Sequence, residues 1–302
     1  IMSNDPFMNS GYKPDENTIK EIEKLHNDGV SLSGVCLKYA QMNNAKLVNV
    51  DMPSADLTRS NFSGASMYGA NLEGANLFKA NFEGANLKSA NLCNCDLLGV
   101  DFSNTQLNNV DWGKDYKVIN EQLAEVALAE GNTEKARGKY KEAEDIYRAL
   151  KISLKNQTLG DDVGKFFERE MIARRKQMPL FTPRRILYKL AHLTTGYGEK
   201  VGNIFYTALC VIIACAFLYG IEGVLYKGYI LGFLGDVEQF GGTFNVIGNL
   251  FYFSVVVFST VGFGDIVPIG PLGKCIMIFE GIIGGLIMAV LIIALYKQLM
   301  DR

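Results

Sequence analysis

The stretch NLFYFSVVVFSTVGFGDIVP, residues 249–268, decides how the C-terminal third of the chain folds. Its first part, residues 249–259, is apolar throughout except for polar residues at its ends and Ser254. A helix crossing a bilayer needs about 20 apolar residues, so this run is too short to span. A helix that enters and leaves on one face is the better expectation, provided that neighbouring protein surrounds it. The run leads straight into Thr260, Val261, Gly262, Phe263, Gly264 and Asp265. Working outward, two longer apolar stretches flank it. NIFYTALCVIIACAFLYGI, residues 203–221, carries no charge. The second runs from Lys274 to Tyr296 around the core IIGGLIMAVLIIAL, and Glu280 is its one acid.

In that setting, TVGFGD closely resembles the pore motif of the potassium-channel family, with Phe263 where Tyr is more usual and Pro268 in the turn that follows. The resemblance covers residues 203–296 and implies a selectivity filter at Thr260, Val261, Gly262, Phe263 and Gly264, with Asp265 at the outer mouth. A dehydrated cation needs oxygen ligands in place of its water shell. The backbone carbonyls of Thr260, Val261, Gly262 and Phe263 supply them if four chains meet on an axis, and the Thr260 hydroxyl completes the inner end. Gly262 and Gly264 permit the backbone angles that line up successive carbonyls. Val261 and Phe263 are expected to face outward and hold the ring open. The pore helix aims its negative C-terminal end at the cation.

The same resemblance implies a hinge at Gly284, twenty residues beyond Gly264, with Gly285 beside it. Close contact with a small neighbour is the competing reading of Gly284. Met288 and Ile292 follow Gly284 at helical spacing and are candidates for the inner pore lining. Two roles stay open for Glu280: a protonated hydrogen-bonding group behind the filter, or a charge that concentrates cations near the cavity.

The N-terminal half is built differently. It repeats every five residues, with a centre reading ASMYG, ANLEG, ANLFK, ANFEG, ANLKS, ANLCN. Large apolar residues recur at Leu57, Phe62, Met67, Leu72, Leu77 and Phe82, and small ones stand two positions earlier, as at Ala70 and Ala75. Period five matches neither the helical 3.6 nor the strand 2, so neither a helix nor a flat strand keeps this stripe on one face. A coil of short sides does, with Asn and Asp bonding the turns between them. The segment resembles the pentapeptide-repeat family over residues 30–112, which implies a right-handed quadrilateral β-helix. The register puts Cys95 in a small inward position, which reads as interior filling rather than metal binding with Cys93.

Residues 115–178 switch to helical spacing. Leu123, Val126, Ala127, Tyr140, Ala143 and Ile146 are among the apolar positions, and Gly131, Gly138 and Gly160 serve as breakers. The small-plus-aromatic pattern loosely resembles tetratricopeptide-type hairpins. Arg184, Arg185 and Lys189 then alternate with apolar residues in RRILYKLAHL, which reads as a helix lying along a membrane face.

The expected fold class is therefore multidomain: a right-handed quadrilateral β-helix, an α-helical adaptor, and a two-span α-helical tetrameric channel pore with a re-entrant pore helix. The expected divisions are 1–29 as cap or tail, 30–112 as repeat, 113–180 as adaptor, 181–202 as interfacial junction, 203–297 as pore and 298–302 as tail. Basic residues before residue 203, with Lys297 and Arg302 after the second span, place both ends in the cytoplasm of a multi-pass cell-membrane protein. The loop 222–248, with Glu222, Asp236 and Glu238 against Lys227, is then external. No apolar signal region follows Met2, so export of the N-terminus is not expected.

The chain holds 30 Lys and Arg against 32 Asp and Glu, a net charge of −2, which argues against a nucleic-acid partner. Six cysteines in 302 residues do not make a disulfide scaffold. His26 and His192 are far apart, and no phosphate loop or metal cluster accompanies them, so an enzyme is not expected. The function these features imply is passive potassium conduction by a homotetramer in the lipid bilayer. No cofactor is needed beyond the permeant potassium ion. The cytoplasmic N-terminal module is a candidate regulator with an unidentified cytoplasmic ligand or protein partner. The alternatives are a weakly selective cation channel, or a membrane-anchored repeat scaffold.

Overall fold

The computed structural model describes residues 6–9, 11–157, 160–235 and 237–300. Asp236 and Arg302, used above for topology, lie outside the described residues, as do parts of the expected cap and tail. The chain divides into two compact units, residues 1–188 and 189–300.

The first unit opens with α1 (Thr18–Asn27) and continues into the five-residue repeat. Single-residue parallel bridges join positions twenty apart, such as Cys36 with Asp56, Asn76 with Asp96 and Asn91 with Asp111. Four five-residue sides therefore make one coil. Between the bridges the chain turns tightly, and the turn needs a left-handed residue. Gly64 and Gly69 supply it at no steric cost, with φ of 67° and 66°. Tyr39, Arg59 and Lys79 adopt it too, with φ of 62°, 55° and 56°. Asn side chains bond the turns, since the Glu83 N–H donates to Asn81 Oδ1 at 2.8 Å and the Ser63 N–H to Asn61 Oδ1 at 3.1 Å.

This corrects the expected quadrilateral β-helix. Among the described residues of 28–112 there is no β-strand, and so no β-sheet faces. The reason is local. Each five-residue side commits most of its length to the turn and leaves one residue in bridge geometry, short of the three or more that a strand takes. The interior is nonetheless mostly apolar, and the buried Ser60 and Thr105 hydroxyls donate to the Leu57 and Phe82 carbonyls. Leu57, Phe62, Leu77, Phe82 and Leu87 are buried. The Phe62 and Phe82 rings stack at 5.3 Å, and Phe82 and Phe102 at 6.0 Å. Cys95 is buried too, and burial pushes its thiol up to about 12.

Three helices follow in the same unit: α2 (Ile119–Ala129), α3 (Thr133–Lys155) and α4 (Gly160–Lys176). Gly138 breaks nothing, because α3 runs through it. The expected apolar face of α2 is in part shifted. Ala127 is buried as expected and Ala124 joins it, whereas Leu123 and Val126 are exposed. Small residues on that face let α3 approach closely. Trp112 carries the aromatic column out of the repeat onto Phe166 of α4, with ring centroids 5.3 Å apart. Tyr147 of α3 donates to Glu121 Oε2 of α2 at 2.6 Å and accepts from the Val118 N–H at 3.0 Å. The division between the units falls inside α5 (Pro183–Thr195), where Ile186, Leu187, Leu190 and Leu193 are exposed.

In the second unit, α6 (Val201–Glu222) and α8 (Pro271–Met300) are both long and apolar enough to cross a membrane. Between them lie β1 (Val224–Tyr226), β2 (Tyr229–Leu231), α7 (Thr243–Phe258) and β3 (Ile266–Pro268). The strands form an antiparallel sheet in the order β2-β1-β3, with Val224 opposite both Leu231 and Pro268. Lys227 and Gly228 turn the hairpin with φ of 51° and 84°, the paired positive angles of a two-residue I′ loop. Tyr219, Leu250, Phe253 and Val257 lead the core, where the Tyr219 and Phe253 rings lie 4.7 Å apart.

Candidate functional site

Residues 260–265 form the exposed link from the end of α7 to the start of β3. The left-handed region recurs at every second residue: φ is 58° at Thr260, 58° at Gly262 and 77° at Gly264. The two glycines take it freely. Thr260 does not, because a β-branched residue at positive φ is strained. The end of α7 holds it there. The Thr260 N–H donates to the Val257 carbonyl at 2.9 Å and the Val261 N–H to the Val256 carbonyl at 3.1 Å. On the far side, β3 pairs with β1 directly after Asp265, so both ends of the link are anchored.

Val261 and Phe263 were expected to face outward. They are 56% and 68% exposed, so one chain by itself does not cover them. Asp265 is exposed as well. The link thus leaves the Val261 and Phe263 side chains uncovered, while the Asp265 carboxyl is hydrogen-bonded to Tyr252. A strand of this kind can wrap part of a cation and cannot enclose it.

Gly284 is buried against the end of α7, and a Cβ built there would collide with the Phe258 carbonyl. Nothing crowds Gly285. α8 runs unbroken through both. Gly284 is thus in close contact in this structure, and the neighbour is backbone rather than a small side chain. Met288 and Ile292, the candidates for the inner pore lining, are exposed in the single chain. Glu280 is fully buried. Tyr219 of α6 donates to its Oε2 at 2.8 Å, and Ser254 of α7 contacts its Oε1. That burial removes Glu280 from the cavity-facing role considered above. Among the described residues no group of His, Cys, Asp and Glu is placed to hold a metal ion.

The sequence reading missed two features. The β1–β2–β3 sheet was read as loop, although VLYKGYIL, residues 224–231, carries the two-residue hairpin signal. The strain at Thr260 has no sequence signal.

A short apolar helix and an anchored, partly left-handed link, set between two long apolar helices, define a pore-type membrane unit. Residues 207–301 match the ion-channel family profile. Residues 28–64, 36–74 and 75–111 match that of pentapeptide repeats, in eight copies. The chain carries both an ion-channel domain and a pentapeptide-repeat domain. The match over residues 207–301 is consistent with a non-catalytic transport role for that domain. No curated protein matches the chain. Among solved structures, a pentapeptide-repeat protein from the cyanobacterium Cyanothece is 35% identical over 27% of this chain and 56% of its own, with a TM-score of 0.27. One from Nostoc is 24% identical over 31% and 76%, with a TM-score of 0.21. One from the thylakoid lumen of Arabidopsis thaliana is 26% identical over 26% and 59%, with a TM-score of 0.19. These likenesses concern the repeat.

Proposed function

We propose that four copies of this chain assemble around residues 260–264 into a potassium-selective channel of the cell membrane, with both termini cytoplasmic. The observation that carries the reading is the link itself. It alternates left-handed residues at 260, 262 and 264, is anchored at both ends, and stands open in the single chain. Potassium ions move passively over the backbone carbonyls of Thr260, Val261, Gly262 and Phe263, with the Thr260 hydroxyl at the inner end. Asp265 stands at the outer mouth. Met288 and Ile292 line the inner path, and Gly284 with Gly285 is the point about which α8 bends. Residues 1–29, 30–112 and 113–180 form the cytoplasmic cap, repeat and adaptor, 181–202 the interfacial junction, 203–297 the pore and 298–302 the tail. The N-terminal modules regulate the pore or bind a cytoplasmic partner.

The test is planar-bilayer recording of the purified chain with potassium on one side and sodium on the other. A reversal potential near the potassium equilibrium value is the expected result. A reversal near zero favours a weakly selective cation pore. A stable, correctly inserted protein without current favours a membrane-anchored scaffold.

A further inference from the structure

Three helices meet at one buried polar point. Tyr219 comes from α6, Ser254 from α7 and Glu280 from α8. The Tyr219 hydroxyl donates to Glu280 Oε2 at 2.8 Å. Ser254 Oγ is in hydrogen-bond contact with Glu280 Oε1 and also lies 2.8 Å from the Ile212 carbonyl of α6. Among the described residues, Cys215 of α6 is the remaining titratable group at the carboxyl and is also in hydrogen-bond contact with it. Among the described residues no Lys, Arg or His pairs with Glu280.

Counting protons settles the arrangement. A serine hydroxyl has one proton, and Ser254 has two oxygen neighbours that would both require it if Glu280 were ionised. One of those contacts would then set two electron-rich oxygens together with no hydrogen between them. The carboxylate would also be a charge buried with no cation beside it, which is costly in a membrane. A proton on Glu280 Oε1 removes both problems. Tyr219 donates to Glu280 Oε2, Glu280 Oε1–H donates to Ser254 Oγ, and Ser254 donates to the Ile212 carbonyl. Each hydrogen is used once and each contact is filled.

We infer that Glu280 is a neutral, proton-donating positioning residue. It is the central link of a one-way hydrogen-bond relay that starts on α6, crosses α8 and α7, and returns to α6. Ser254 lies six residues ahead of Thr260, so the relay fixes α7 close to the strained link. The relay itself stands on this geometry alone, and only its effect on selectivity rests on the channel reading.

Infrared spectroscopy of the full-length protein in bilayers at neutral pH tests it, together with thermal unfolding and the potassium-to-sodium permeability ratio. A protonated-carboxyl stretch that disappears in Glu280→Gln is expected. Glutamine can donate to Ser254 and accept from Tyr219, so Glu280→Gln keeps the permeability ratio and the melting temperature within about twofold and a few degrees of the parent. Glu280→Ala, and Tyr219→Phe if that variant fails to fold, lower the ratio about tenfold, the cost of one buried bond left unmade. Absence of the protonated-carboxyl band overturns the neutral assignment. A glutamine variant as defective as the alanine one overturns the relay, and an alanine or phenylalanine variant indistinguishable from the parent overturns the positioning role. If the parent protein carries no current, the channel reading fails, and the infrared band and the unfolding series still decide the relay.

Discussion

Thr260, Gly262 and Gly264 share one backbone region but not one cost. A methyl group added at Gly262 meets no atom of its own chain, yet φ of 58° disfavours any side chain there. Gly262→Ala is therefore expected to abolish potassium-over-sodium selectivity while leaving assembly intact, read from reversal potentials of the purified variant. Normal selectivity in a correctly assembled variant would refute the filter assignment. In the repeat, Phe82 lies buried between the Phe62 and Phe102 rings. Phe82→Asp sets an unpaired charge into that column and should destabilise the first unit by more than about 3 kcal/mol, measured by denaturant unfolding. Asp56 supplies a milder, pH-dependent term. Burial raises its pKa, but hydrogen bonds from Thr58 and from Lys38 outweigh that and leave it lower than usual. A carboxyl with a lowered folded value contributes stability above its unfolded value of about 3.9. That contribution fades as the pH falls through the folded value. Asp56→Asn should flatten this acid limb of the unfolding profile.

At the scale of elements, the long apolar helices were legible because nothing but a membrane span or a deep core asks for apolar runs of that length. α7 was legible as a short apolar run, though it begins at Thr243, six residues before the strongly apolar stretch. Its start is set by Gly241 and Gly242 at positive φ, a backbone property rather than a hydropathy one. α2 shows the opposite failure. The sequence pattern pointed to Leu123, Val126 and Ala127, of which only Ala127 is buried, and α3 also needs the small Ala124 to come close. The repeat was legible in its period and interior, but not in its lack of strands, because periodicity reports which side chains face inward and not how many residues pair. Gly284 yields a test at this scale. A Cβ there meets the Phe258 carbonyl, whereas at Gly285 it meets open space. Gly284→Ala should destabilise the membrane unit by about 1–3 kcal/mol, and Gly285→Ala should fall within about 0.5 kcal/mol of the parent, by thermal unfolding in detergent.

For the whole molecule, one copy of the link per chain sets the stoichiometry that the proposed function requires. Native mass measurement should give four chains per particle, and a conducting monomer or dimer would sink that proposal. Removing residues 1–114 leaves residues 203–297 untouched, so single-channel conductance should persist while open probability and its response to cytosolic conditions change. An unchanged open probability in a stable tetramer would make the repeat an assembly or partner-binding module instead. Which stimulus acts was not legible, because the repeat spends its sequence on its interior and carries no catalytic or nucleotide-binding pattern on its surface.

The link between α7 and β3 has a further consequence. It behaves as a bridge deck whose two abutments are already fixed, one at the Val256 and Val257 carbonyls and the other at the pairing of Ile266 with Tyr226. Such a span has no slack for an extra plank or a missing one. Inserting or deleting a single residue within 260–265 must either unseat Thr260 from the end of α7 or slip β3 by one position. A slip of one turns the buried Ile266 outward and brings the exposed Val267 inward. The length of this segment is thus as constrained as its composition.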